Sequence, residues 1–245
     1  MEATTHRIAP GWSLEILREM EWKRFEELCA RVFETVGYRV WTTVLRPDGG
    51  IDMIVSSPNP SDRGERIEVR CRAFAQNPVD VSRVQELVSG VRGGGFRAGV
   101  LVSTGEFSPE SREYAESRDE VILIDGREFL GKVYSLPKAD REQLLGIATH
   151  GDYTTPTCPD CALKMIRRIA TQGAVSGREY WACPDINPRK CRRTFPVVGA
   201  EGEKFSEERG RKAPPRRRLE FVPAGAAVLI RNLLARRFGL RRPVS

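Results

Sequence analysis

The chain has 245 residues, 40% of them hydrophobic and 30% charged, enough apolar material for a buried core and too mixed for wholesale disorder. Its length favours two units, or one domain with a substantial appendage. No run of about 18 apolar residues offers a membrane span, and residues 1–12 lack the basic start and apolar stretch of a secretory signal; a cytoplasmic protein is expected. The formal net charge is +7, and residues 201–245, with 12 basic and 5 acidic side chains, hold the whole excess. A neutral body with a basic end points to a polyanionic partner, nucleic acid first and an acidic membrane surface second.

Trp22, Phe25, Leu28, Val32, Phe33 and Val36 recur at spacings of three and four, which predicts a helix over residues 21–36 with Gly37 as its stop. Residues 38–44 read as a strand, broken by the turn chemistry of Arg46-Pro47-Asp48-Gly49-Gly50, and residues 51–55 and 66–72 as two more. A helix marked by Val81, Val84, Val88 and Val91 ends at Gly93 to Gly95, and an apolar strand follows at 98–103. Ser108-Pro109 is a helix start, 121–124 a short strand, and 127–134 and 140–148 are helices. Such alternation implies helices layered on a central sheet. Residues 151–157 read as a linker, 202–215 as a charged, proline-containing connection, and 224–240 as an amphipathic helix or a basic tail.

Of six cysteines, Cys158, Cys161, Cys183 and Cys191 crowd into 34 residues. Two thiol pairs, with a turn proline directly after Cys158 and after Cys183, suit the tetrahedral preference of a structural zinc ion. The segment Cys158-Pro-x-Cys161, Met165, Arg167, Gly173, Gly177, Tyr180-Trp181-x-Cys183 and Cys191 resembles the C-terminal zinc finger of bacterial type I topoisomerases. That resemblance implies binding of single-stranded DNA, with Tyr180 and Trp181 as stacking surfaces and Arg167, Arg168, Lys190, Arg192 and Arg193 meeting phosphates. The alternative is that Trp181 only covers the metal while the basic side chains offset the charge of a tetrathiolate. Arg216, Arg217 and Arg218, in the tail, are further candidates for phosphate contact.

The first 135 residues carry a second resemblance. Trp22-x-x-Phe25-Glu26-x-Leu28, Gly37-Tyr38-x-Val40, Asp48-Gly49-Gly50-Ile51-Asp52, the strand at 67–74, Gln85-Glu86-Leu87, residues 99–108 and residues 121–125 are similar, in order and spacing, to the Mrr-type restriction endonuclease domain. The resemblance implies an α/β fold with a restriction-endonuclease-like core, a central mixed sheet flanked by helices, over residues 12–149. A small zinc ribbon over 156–198 and a basic linker and tail over 199–245 complete the chain. It also implies DNA cleavage by carboxylates that hold Mg²⁺ against the scissile phosphate beside a lysine. Asp52 stands at the metal-binding position, and Glu26 or Glu27 on the first helix is a candidate to face the same centre. On the third strand the family has Gln or Glu, any residue, then Lys, whereas this chain reads Arg70-Cys71-Arg72. A guanidinium neither ligates a metal nor exchanges a proton near neutrality. Alternation puts Glu68 on the same face as Arg70 and Arg72, so a shifted reading uses Glu68 as the acid and Arg70 in place of the lysine. Cys71 and Cys29 read as core thiols, Gln85 as a helix surface residue, Ser103 and Thr104 as strand-end caps, and His6 and His150 as solvated side chains.

The expected function is therefore DNA binding on an Mrr-type endonuclease domain, with metal-dependent cleavage of phosphodiester bonds as the implied activity. The alternative is a catalytically degenerate protein whose former cleft grips phosphates. Structural zinc, with Mg²⁺ if the centre is active, is the expected cofactor set. No small-molecule cofactor is called for, a membrane partner is the weaker reading, and homo-oligomerisation is left open.

Overall fold

The computed structural model describes residues 11–42, 52–57, 66–73, 77–173, 176–187 and 191–197, with Thr42 and Asp52 described in their backbone alone. The glycine turn at 48–50, Lys190, Arg216, Arg217, Arg218 and the helix read over 224–240 lie outside the described residues, as does His6.

A short helix α1 (Leu14–Glu19), capped by Ser13, precedes α2 (Trp22–Thr35). Strands β1 (Arg39–Thr42), β2 (Asp52–Ser56) and β3 (Arg66–Arg72) follow, then α3 (Val81–Gly94), β4 (Ala98–Ser103), α4 (Pro109–Glu116), β5 (Val121–Ile124), α5 (Gly126–Tyr134) and α6 (Lys138–Thr149). The boundaries have local causes. Asp80 caps α3, and Gly95, at φ 64°, closes it in the left-handed region that a glycine enters without strain. The Ser108 hydroxyl accepts from the Ser111 amide, with Pro109 opening α4. Asp125 and Glu128 make a reciprocal capping box on α5.

The sheet runs in the order β1-β2-β3-β4-β5. Its first two pairings are antiparallel and its last two parallel, because β1, β2 and β3 follow one another without a crossover, while α3 and α4 carry the chain over to β4 and β5. Alternating side chains build a core on each side. One unites α1, α2, α5 and α6 with Met53, Val55, Ile67, Val69, Val100 and Val102. The other packs Val84, Leu87, Val88 and Val91 of α3 and Ala115 of α4 against Leu101 and Val121. β3 is covered on both faces, and its five central residues are all buried.

The cysteine segment forms a separate sheet of three short antiparallel strands, β6 (Ile166–Ile169), β7 (Glu179–Ala182) and β8 (Thr194–Pro196). Among the described residues, no helix is long and apolar enough to cross a membrane.

Candidate functional site

Strands β2 and β3 carry the positions to which the endonuclease resemblance points. Their register sets Asp52 opposite Arg70 and Ile54 opposite Glu68, so positions 52, 68 and 70 share one face of the sheet. There Glu68 and Arg70 are each only 2% exposed. Arg70 donates from Nε and Nη2 to the same oxygen, Glu68 Oε1, at 3.0 and 2.8 Å. Helix α3 lies directly over the pair: a Cβ at Gly90 would stand 2.5 Å from Arg70 Nη2 and 2.7 Å from Glu68 Oε2, so a larger residue there would push the paired side-chain ends aside. Arg72 is half-buried and donates from Nη1 to the Cys71 carbonyl at 3.3 Å. Val69 and Cys71 alternate into the opposite core together with Cys29, whose thiol is pushed well above its ordinary pKa by burial.

The two acids of α2 separate. Glu27 faces solvent, 4.0 Å from Arg24. Glu26 is buried beside the apolar stripe, and desolvation, reinforced by Glu21 and Glu27 against the pull of Lys23, raises its pKa to about 8. Gln85 is exposed on α3, and the Ser103 hydroxyl accepts from the Gly105 amide at 3.1 Å, a turn bond at the strand end. The described side chains at the aligned positions do not fit a hard divalent cation, which takes oxygen ligands: Glu68 is engaged by Arg70, and Arg70 and Arg72 have no oxygen to offer.

The four clustered cysteines do converge. Their Sγ atoms all lie within 4.8 Å of one another, and this is the one such group among the described residues. In the first knuckle the Ala162 amide donates to the Cys158 carbonyl and the Cys158 amide to that of Leu163, both at 2.8 Å, with Ala162 at φ 56°. In the second, the Arg193 amide points at Cys191 Sγ at 3.4 Å. The Arg193 guanidinium then binds both Asp160 oxygens, at 3.0 and 3.1 Å, tying one knuckle to the other. Burial first, then crowding by neighbouring thiols, pushes Cys158 up to about 11 and Cys161 up to about 12; a bound cation inverts that preference by stabilising thiolate.

The strand register distinguishes the aromatic candidates. Arg167, Trp181 and Phe195 form one cross-strand row, and Arg168, Tyr180 and Pro196 the next, on the opposite face. Trp181 and Phe195 pack against the cysteines, with the Arg167 guanidinium 5.0 Å from the Trp181 ring centre. Tyr180 and Trp181 therefore cannot stack bases on a common face. Arg168 and Arg192 are exposed.

The segment at 151–157, read as a linker, is instead fastened to the first domain. Glu21, the N-cap of α2 and 2% exposed, accepts from the Thr157 amide at 3.0 Å, the Thr157 hydroxyl at 2.9 Å and Lys164 Nζ at 3.1 Å. The Trp22 indole N–H donates to the Thr157 carbonyl at 2.8 Å. Sequence reasoning missed Glu21; its one signal was an acid directly before the apolar helix period, where a cap is expected.

Comparison with known proteins bears on the first domain. Residues 17–132 match the Mrr_cat family model, described as a restriction endonuclease. The Escherichia coli (strain K12) type IV methyl-directed restriction enzyme EcoKMrr is 28% identical over 118 residues, which is 46% of this chain and 38% of that enzyme, so the match spans well under half of the relative. Among solved structures, the DNA modification-dependent restriction endonuclease AspBHI is similar at 23% identity and a TM-score of 0.40, covering 56% of this chain and 39% of its own. The MspJI restriction endonuclease in complex with a 27-mer oligonucleotide gives 20% identity and a TM-score of 0.39, covering 65% and 42%. The family match ends before the first clustered cysteine. Residues 17–132 of this chain are thus similar to the Mrr-type restriction-endonuclease domain.

Proposed function

We propose that this protein binds DNA through its Mrr-like domain without cutting it in the presence of Mg²⁺, and that its four clustered cysteines hold a structural zinc ion. The observation that carries the first part is the Glu68–Arg70 pair sealed under Gly90. Arg70 stands where the family has a metal-ligating acid or amide, and Glu68, the acid of the shifted reading, is neutralised by it. Drawing Glu68 toward a metal would take its carboxylate from a guanidinium that is only 2% exposed, at a cost of several kcal/mol. Arg72, half-buried where Arg70 is buried, is the more accessible arginine of the motif for a phosphate. Four soft thiolates in one compact group support zinc over harder cations; the ion supplies folding energy for the ribbon, and the exposed Arg168 and Arg192 offer phosphate contacts beside it. The likeness to topoisomerase-type fingers supports the same assignment.

The test is a binding and nicking assay on purified protein, with and without Mg²⁺, beside elemental analysis. Expected are DNA binding, no metal-dependent nicking and one zinc per chain. Restoring the centre requires more than the two motif positions, because Arg70→Gln with Arg72→Lys alone would remove the guanidinium that Glu68 binds. The triple change Glu68→Val, Arg70→Gln, Arg72→Lys is the variant expected to nick. Nicking by the native protein that disappears in Glu68→Gln would sink the degenerate reading.

A further inference from the structure

The β1–β2 hairpin presents the face opposite its core to solvent. Val40, Met53 and Val55 point into the core beneath α2, so Arg39, Trp41 and Ile54 occupy the other side, the side on which α3 covers Glu68 and Arg70. Trp41 is 49% exposed there, while Trp12 and Trp22 are each 8% exposed and donate their indole N–H groups to carbonyls. The Trp41 indole N–H has no hydrogen-bond partner among the described residues. The register sets Trp41 opposite Ile54, two residues along β2 from Asp52, and Arg39 opposite Ser56, whose other neighbour is Arg66. With strands about 4.8 Å apart and two residues spanning about 6.7 Å, the Trp41 and Asp52 backbones are roughly 8 Å apart on a common face.

We infer that Trp41 is a DNA-contacting residue that packs its indole on a base or deoxyribose beside the backbone position marked by Asp52, with Arg39 meeting the adjoining phosphate. The inference rests on the DNA-binding reading and adds a surface that neither the motif nor the fold assigns. Two features favour DNA over a second copy of the chain. The exposed apolar area is one aromatic ring with a half-buried isoleucine beside it, far below the roughly 800 Å² per partner of a stable protein interface. The flanking row carries Arg39, exposed, and Arg66, half-exposed, and an aromatic ring bordered by cations is the pattern that takes nucleobases and phosphates together.

The test uses the full chain and a labelled duplex of mixed sequence, comparing Trp41→Ala, Trp41→Phe and Arg39→Ala by titration at several salt concentrations, with melting curves and light scattering as controls. Trp41→Ala should melt as the native protein does and bind about tenfold more weakly with an unchanged salt slope, and Trp41→Phe should keep most of the affinity, since stacking needs only a ring face. Arg39→Ala should lower the salt slope by roughly 0.9. Native affinity in Trp41→Ala overturns the inference while leaving the DNA-binding reading standing. Unchanged affinity together with an altered oligomeric state would assign the ring to a protein interface. Absence of binding by the native protein would overturn both.

Discussion

Arg70 shows how a single residue closes a site. Its guanidinium is tolerable at 2% exposure because Glu68 sits two residues away on the same face, and Glu68 is tolerable for the converse reason. Glu68→Ala should destabilise the protein by about 3–5 kcal/mol in denaturant titrations, whereas the paired change Glu68→Leu with Arg70→Met should be neutral or stabilising, because both desolvation costs vanish together. The arginine at position 70 was legible from the motif. The cover over it was not, since the close passage of Gly90 over the pair depends on how α3 crosses β3. Glu26 makes a second residue-scale case, on a helix face that periodicity alone left ambiguous between neighbours. Its folded pKa, about 8, lies above the unfolded value of 4.5. The folded state therefore holds the proton more tightly, and stability falls as pH rises from about 4.5 through 8. Glu26→Gln should raise the melting temperature at pH 8.5 by several degrees and leave it nearly unchanged at pH 4.

At the scale of elements, the sequence patterns were most informative where the period was strong. The strands at 66–72, 98–103 and 121–124 stand as read, since each is a β-rich run bounded by turn residues. Helix α1 escaped notice because six residues are too few to show a period, although Ser13 marks its start. The strands of the cysteine segment are three or four residues long and mostly exposed, so the sulfurs, not a hydrophobic pattern, organise them. The pair Asp160–Arg193 shows the same logic, for it joins residues 33 apart that only the converging knuckles bring together. Arg193, read as a phosphate contact, instead commits Nε and Nη2 to Asp160. Arg193→Ala should therefore speed metal release to a chromogenic chelator severalfold, as loss of supporting contacts around a metal site does.

Over the whole molecule, charge and architecture divide the work. The body at residues 1–200 is electrically balanced, and the excess of cations lies in residues 201–245. Deleting those residues should weaken DNA binding and flatten its salt dependence, each lost phosphate contact lowering the slope by roughly 0.9; an unchanged slope would assign the tail to another partner. That the cysteine segment stands apart was legible from cysteine spacing, and it forms its own sheet. Its attachment was not, because it depends on one buried carboxylate, Glu21, meeting a hydroxyl, an amide and an ammonium from residues more than 130 positions away.

If the four cysteines hold zinc, that attachment makes the ion a ligand of the first domain as well. Thr157 immediately precedes Cys158, and Lys164 follows Cys161 by three residues, so a knuckle that collapses on chelation takes with it the partners of Glu21 and of the Trp22 indole. By mass action, the unfolding free energy of residues 12–149 should then climb with free zinc, by about 1.4 kcal/mol for each tenfold rise above the dissociation constant. Calorimetry across a zinc-buffer series would show one transition moving with the metal in the native chain. In Glu21→Ala it should split in two, the endonuclease transition lower and indifferent to zinc. A chain cut at residue 150 would inherit the same defect, so the module that looks dispensable from the motif boundaries helps to keep the N-terminus of α2 folded.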